Sequence, residues 1–251
     1  FLNIIIIVNF DKIMNDKQRI EKIKNWILDY ISEKMPKSAT SLVIGVSGGI
    51  DSAVTSTICA LTCIKTIVLS MPIRQIKLQD DLSKVHCKWL KEKYKNVEIK
   101  NINLDNVFDQ FEKTLSDSNS EHAFANSRAR LRMMTLYQVA GSNNGIVIGT
   151  GNLIEDSIAF FATKFGDMAC DLNPIGDCTK SQVWDMGREL NIDQRIIDAK
   201  PTDGLWEDGR TDEDQLKISY QEIENIIKDP NHPGQKRLAE IKKFNLHKIL
   251  K

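Results

Sequence analysis

Residues able to do chemistry concentrate first in LVIGVSGGIDSAV, residues 42–54. Two adjacent glycines, Gly48 and Gly49, separate an apolar run from a helix pattern that begins near Ser52. Backbone amides of a glycine turn and the positive end of a helix make an anion site, and the hydroxyls of Ser47 and Ser52 add donors. A Gly-Gly pair alone also suits a tight strand-to-helix turn, but strand, glycines, serines and helix in register favour phosphate. Neither a Walker A lysine nor a GxGxxG is present. Asp51 is the odd member, because a carboxylate repels phosphate oxygens unless a cation lies between them. A hard ion such as Mg²⁺, held by one or two carboxylates and by phosphates, resolves the conflict.

A second carboxylate should therefore converge on the loop. In a parallel sheet, ligands sit outside the carboxyl ends of the strands where strand order reverses, so the loop after another central strand should supply it. GIVIGTGNLIED, residues 145–156, offers Thr150, Asn152 and Glu155 in that place. Glu155 reads equally well as an acid favoured by the dipole in a first helical turn. Arg128, Arg130 and Arg132 recur on one helix pattern, either as a solvated basic face or as donors to an anionic ligand.

The elements that must position these groups follow from periodicity. From Asp16, Ile20, Ile23, Ile27, Tyr30 and Ile31 recur at helical spacing until Pro36. SLVIGV (41–46), TIVLS (66–70), NVEIKNI (96–102) and GIVIG (145–149) are short apolar runs suited to buried parallel strands. Helical stretches near 52–63, 80–94 and 122–142 alternate with them, which predicts an α/β fold: a doubly wound, mostly parallel sheet with helices on both faces. After about residue 150 the strand signal ends. A helical C-terminal portion follows, joined by polar loops at 165–177, 200–214 and 228–234 that read as binding loops. Trp184 and Trp206 read as packing residues.

Residues 14–251 form one expected domain, and 1–13 an extension of uncertain role, with an added edge strand as the alternative. FLNIIIIVNF is too short for a membrane span, which needs about 20 apolar residues. The 34 basic residues balance the 34 acidic ones, so composition argues for neither a nucleic-acid nor a membrane partner. Five cysteines without a CxxC pair suit a reduced, cytoplasmic setting. Cys59 and Cys63, four apart, read better as small buried residues than as a metal pair.

SGGIDS resembles the SGGxDS signature of the ATP pyrophosphatases. NSRARLRM (126–133), GTGNLIED (149–156), TKFGDMACDLNPIGDCTKSQVW (163–184) and KPTDGLWEDGRTDED (200–214) resemble, in order and spacing, the blocks of ammonia-dependent NAD synthetases. The resemblance spans roughly residues 17–248. It implies an adenine nucleotide alpha hydrolase-like fold and a ligase that adenylates the nicotinate carboxylate of deamido-NAD with ATP. Pyrophosphate is released, ammonia then attacks, and NAD and AMP result, as the last step of NAD biosynthesis.

Carried over by position, Gly45, Val46, Ser47, Gly48, Gly49, Ile50, Asp51 and Ser52 would hold ATP phosphates. Arg74, Thr150, Lys180 and Thr202 would also contact ATP. Asp51 and Glu155 would hold Mg²⁺, Asp51 and Lys180 would serve catalysis, and Arg130, Lys164, Asp171, His247 and Lys248 would bind deamido-NAD. The chain departs from the family at Phe160, which stands where a glycine is usual. The resemblance further implies a homodimer, and a chain of 251 residues implies free ammonia or a separate subunit as nitrogen source. A tRNA-thiolating relative would favour paired cysteines and a basic surface, and a non-catalytic nucleotide sensor would not need Glu155, Lys180 and the substrate contacts together.

Overall fold

The computed structural model describes residues 14–35, 38–206 and 208–248, so the expectations for residues 1–13 and Pro36 lie outside the described residues. Helix α1 (Asp16–Lys34) opens with a capping box, the Asn15 side chain accepting from the Gln18 amide, and buries Ile20, Ile23 and Ile27. The chain then alternates strand and helix: β1 (Ser41–Gly45), α2 (Ile50–Leu61), β2 (Lys65–Ser70), α3 (Lys77–Lys93) and β3 (Val97–Asn101). Helices α4 (Asp105–Thr114) and α5 (Glu121–Ser142) then lead to β4 (Gly145–Ile148).

The four strands are parallel in the order β3-β2-β1-β4, with Leu42 of β1 opposite Thr66 of β2 and Ile146 of β4. Strand order reverses at β1, since the chain steps outward to β2 and β3 and returns to the other side for β4. That reversal brings the loops after β1 and β4 side by side, and a crevice opens at their carboxyl ends.

Period-two alternation sorts the strand side chains between two cores. Leu42, Ile44, Val68 and Ile146 face one layer with Ile27, Ile58 and Leu90. Val43, Ile67, Leu69 and Val147 face the other, with Phe108 and Leu136 of α4 and α5. The sheet is therefore wound on both faces, as expected.

Beyond β4 the backbone makes one π-turn (Ile154–Ile158) and then short helices: α6 (Lys180–Glu189), α7 (Gln194–Ile197), α8 (Asp212–Leu216), α9 (Tyr220–Lys228) and α10 (Gln235–Asn245). The last two bury Ile223, Ile226 and Ile241 against Ile154 and Ala159. The expected absence of further strands holds among the described residues, apart from an isolated parallel bridge between Ile148 and Leu172. No described helix is long and apolar enough to cross a membrane. All five cysteines are free; Cys59 is buried and Cys63 exposed.

Candidate functional site

The glycine turn is folded by its own serines. The Ser47 amide donates to the Ser52 hydroxyl at 3.1 Å, the Gly49 amide to the Ser47 hydroxyl at 3.2 Å, and Ser52 closes the turn on the Gly49 carbonyl at 3.0 Å. Gly48 takes φ +90°, and a Cβ there would run into the Gln79 carbonyl of α3, so this position requires glycine. Gly49 takes φ −89° and serves as the N-cap of α2, whose first-turn amides point into the crevice.

Asp51, on that first turn, meets residues from the far end of the chain. Its Oδ2 lies 2.5 Å from the Lys180 ammonium, and its Oδ1 accepts from Asn152 Nδ2 at 3.0 Å. The same Lys180 nitrogen lies 3.2 Å from Glu155 Oε1. Asn152 also turns Glu155 inward, its Oδ1 accepting from the amides of Ile154 and Glu155 at 3.0 and 3.1 Å. Lys180, capped into place at the start of α6 by Thr179, is only 1% exposed. Burial disfavours its charge, but Asp51, Glu155 and Asp212 together outweigh burial and raise its pKa.

Two residues outside the sequence expectations complete the cluster. The Tyr220 hydroxyl lies 2.8 Å from Glu155 Oε1 and 2.8 Å from Asp212 Oδ2. Its ring lies 4.8 Å from the Lys180 ammonium. Burial, followed by the Glu155 charge, pushes the Asp212 carboxyl up to about 7. Burial also raises Glu155, against the pull of Lys180. Asp156 is pushed up to about 8 by burial and then by neighbouring carboxylates. No motif marks Tyr220; only the apolar face of α9, read in three dimensions, reveals it.

Two cavities meet at the loop. One, between the sheet edge and α5, is lined by Gly45, Val46, Met71, Met133, Leu136 and Thr150, an apolar floor with polar margins that suits a nucleoside. Arg132 lines it too, donating to the Met71 carbonyl and the Gln75 amide oxygen; burial pulls its pKa down to about 10. The other is an open cleft of about 850 Å³ that includes Ser47, Gly48, Gly49, Ile50, Asp51, Glu155, Lys180, Thr202 and Lys248. Thr202 also shapes the loop that follows it, donating to the Arg210 carbonyl at 3.1 Å and accepting from the Gly204 amide at 3.2 Å.

The remaining expected residues fall into three places. Arg130 donates to the Lys164 carbonyl at 3.1 Å and Lys164 to the His247 carbonyl at 3.2 Å, so Arg130, Lys164 and His247 form one cluster beside Lys248. Asp171 lies elsewhere, accepting from the Val147 amide at 2.8 Å and the Tyr137 hydroxyl at 3.0 Å. Arg74 adopts φ +46° and pairs with Asp109 and Glu112 of α4, both at 2.5 Å. It lines neither cavity.

Of the other arginines considered, Arg128 is buried and holds the Leu205 carbonyl at 2.6 Å. Trp206 packs against Ala125, Ala129 and Leu205, as a packing residue should, while also lining the cleft. Phe160 takes φ +51°, the left-handed backbone that a glycine would adopt without strain. Its ring is nonetheless buried.

A doubly wound parallel sheet with a glycine turn at its switch point, faced by an acid pair and a buried lysine, defines an adenine nucleotide alpha hydrolase-like protein. The NAD synthase family model matches residues 19–250, and the chain belongs to that family. It is 35% identical over 219 residues to the NH(3)-dependent NAD(+) synthetase of Carboxydothermus hydrogenoformans, covering 85% of this chain and 86% of the relative. To the enzyme of the same name from Thermoplasma acidophilum it is 34% identical, covering 92% and 94%. Among solved structures, an NMN synthetase from Francisella tularensis superposes with a TM-score of 0.84 at 33% identity, covering 94% of this chain and 97% of that one. An NH3-dependent NAD synthetase from Campylobacter jejuni superposes with a TM-score of 0.71 at 28% identity, covering 95% and 100%.

Proposed function

We propose that the site performs ATP-dependent amidation in two transfers. The chain is a ligase of the NAD synthase family that converts deamido-NAD to NAD with ammonia. In the first transfer a nicotinate carboxylate oxygen attacks the α-phosphorus of ATP, and the bond to pyrophosphate breaks. In the second, ammonia attacks the acyl carbon, AMP departs with the bonding pair, and the nitrogen sheds a proton. Neither transfer needs a protein nucleophile, so the work of the chain is positioning and charge neutralisation.

The observation that carries this reading is the Lys180 ammonium held between Asp51 and Glu155 beside the glycine turn. Two carboxylates converging on a cation at a phosphate site fit the donor set that Mg²⁺ takes when phosphates supply the rest. Asp51 and Glu155 would hold Mg²⁺, which would neutralise phosphate charge when bound. Lys180, set beside the glycine turn, would neutralise charge on the phosphate oxygens. The loop from Gly45 to Ser52 cradles the phosphates, with Thr150 and Thr202 as further ATP contacts; Arg74, which lines neither cavity, would reach ATP only by leaving Asp109 and Glu112. Arg130, Lys164, His247 and Lys248 bind deamido-NAD, a role the clustering of the first three supports; Asp171, held by Val147 and Tyr137 away from that cluster, would meet a separate part of the dinucleotide.

The exposed apolar side chains of Phe111 on α4, of Leu115 just after it, and of Met134 and Tyr137 on α5 support a homodimer. Residues 14–251 act as one domain. Five free thiols support a cytoplasmic setting, and the balanced charge supports the absence of a nucleic-acid or membrane partner.

Incubating the pure chain with deamido-NAD, Mg-ATP and ammonium should yield NAD, AMP and pyrophosphate. ADP and phosphate instead would overturn the pyrophosphatase chemistry. The likeness to a protein described as an NMN synthetase supports a second reading, in which nicotinate mononucleotide is the preferred acceptor. The ratio of kcat/KM for the two acceptors decides between them.

A further inference from the structure

The loop between Pro201 and Asp212 closes on itself, the Asp212 amide donating to the Pro201 carbonyl at 3.0 Å. Thr202, Asp203 and Gly204 within it line the cleft. Asp212 lines the cleft as well, and its side chain meets Tyr220, whose hydroxyl also meets Glu155. One residue thus joins the base of a cleft loop to a chain of contacts that ends on the metal-site carboxylate.

A hydroxyl has a single hydrogen and cannot serve two ionised carboxylates at 2.8 Å. Glu155 also faces the Lys180 ammonium, which keeps its charge, so the Tyr220 hydrogen points to Glu155, and Asp212, held protonated by burial, donates to the Tyr220 oxygen. Glu155 Oε1 then has two donors fixed in direction, which leaves Oε2 as the oxygen that takes no hydrogen bond among the described residues. The Tyr220 ring, 1% exposed, is locked by the core of α9 and α10, so its hydroxyl cannot swing away.

We propose that Tyr220 and Asp212 are positioning residues that aim Glu155 at the metal and tie the 201–212 loop to metal occupancy. This rests on Glu155 holding the metal as read above. Outer partners of a ligating carboxylate change metal affinity by about 10- to 100-fold when removed. Tyr220→Phe keeps the ring, its packing and its contact with Lys180, and deletes only the hydroxyl.

The experiment measures Mn²⁺ binding by electron paramagnetic resonance with a non-hydrolysable ATP analogue, and tryptic cleavage after Arg210 with and without the metal. The unaltered chain should show metal-dependent protection of Arg210, and Tyr220→Phe should abolish that protection and weaken Mn²⁺ binding about 10-fold. Asp212→Asn, whose amide still donates to the Tyr220 oxygen, should retain both, and it carries the test if Tyr220→Phe does not fold: loss of both would then overturn the proposal. Glu155→Gln is the control. If it weakens Mn²⁺ binding while Tyr220→Phe does not, the positioning proposal fails alone. If Glu155→Gln leaves Mn²⁺ binding unchanged, the metal reading itself fails. Protection of Arg210 that is independent of metal in the unaltered chain overturns the link to the loop.

Discussion

The Lys180 ammonium lies 2.5 Å from the Asp51 carboxylate across 129 positions of sequence. Its second partner, Glu155, stands 3.2 Å away, so a single buried cation balances two acids drawn from different loops of the switch point. Under the proposed function that arrangement would act as a store of charge: a divalent ion would replace the ammonium, and the ammonium would serve a phosphate.

Lys180→Met tests this exchange through stability. The substitution leaves Asp51 and Glu155 facing each other without a cation, and removing one partner from a buried pair costs about 3–5 kcal/mol. Mg²⁺ should recover part of that loss, because a cation that binds only the folded chain stabilises it. The expected outcome is a lower Tm without metal, a larger rise in Tm on adding Mg²⁺ than in the unaltered chain, and a loss of about 100-fold or more in kcat. Asp51→Asn should behave differently. Lys180 keeps Glu155, so Tm changes little while Mg²⁺-dependent turnover collapses.

The two glycines of the turn make opposite predictions. Gly48→Ala places a Cβ against the Gln79 carbonyl at a left-handed φ, so the turn or α3 must shift. A stability loss of about 2 kcal/mol and an ATP affinity down about 10-fold are expected. Gly49→Ala meets only the Ser47 hydroxyl, 3.4 Å away, at an ordinary φ. Its stability should stay within about 0.5 kcal/mol. Chemical denaturation and equilibrium dialysis of ATP separate the two variants.

What the residues announced and what they hid divide along physical lines. The four strands read correctly because two-sided burial demands continuous apolar runs, and α2, α3 and α5 because their periods are long. Helix α4 passed unread although Leu104, Phe108, Phe111 and Leu115 recur at helical spacing across it; it is only ten residues long and buries one side chain fully, Phe108. The glycine turn was legible because local chemistry constrains it, whereas Glu155 read equally well as a dipole-favoured acid and was singled out for a metal by resemblance. Tyr220 and Asp212 were not legible, since each looks ordinary in its own segment and gains meaning only where α8 and α9 cross the π-turn. Arg74 was placed by resemblance, and its pairing with Asp109 and Glu112 depends on the unread helix α4.

Two buried titratable groups should bend the pH profile of stability in opposite senses. Asp156 has its folded pKa raised from 3.8 to about 8, so its stability contribution is full below the lower value and is lost as pH rises toward 8. His86, buried against Ser56, has its folded pKa lowered from 6.5 to about 4 by burial. Its contribution is full above 6.5 and is lost as pH falls toward 4. Asp156→Asn keeps a carbonyl for the Asn173 amide and removes the charge. It should therefore be more stable than the unaltered chain at pH 8, by on the order of a few kcal/mol, and equal to it at pH 4. Urea unfolding at both pH values measures the difference, and equal gains at both would refute the assignment.

Arg130 and Lys164 belong to one cluster on the surface beside the cleft, and that location separates their role from the phosphate loop's. The Arg130 Nε is occupied by the Lys164 carbonyl, which aims the rest of the guanidinium outward, while the Lys164 ammonium reaches the His247 carbonyl and fixes the end of α10 against the same spot. A dinucleotide pyrophosphate or nicotinate carboxylate meeting this cluster would form charge-assisted bonds worth about 1.5–3 kcal/mol each. Arg130→Ala should therefore raise KM for deamido-NAD at least about 10-fold and leave KM for ATP within about twofold. Lys164→Ala should do the same, and the double variant should fall short of the sum because the two residues touch in one cluster. An exposed control, Arg188→Ala, which breaks only a pair with Asp185 one turn away, should leave both constants unchanged. Equal effects of Arg130→Ala on ATP and deamido-NAD would instead place this cluster on the adenylate path.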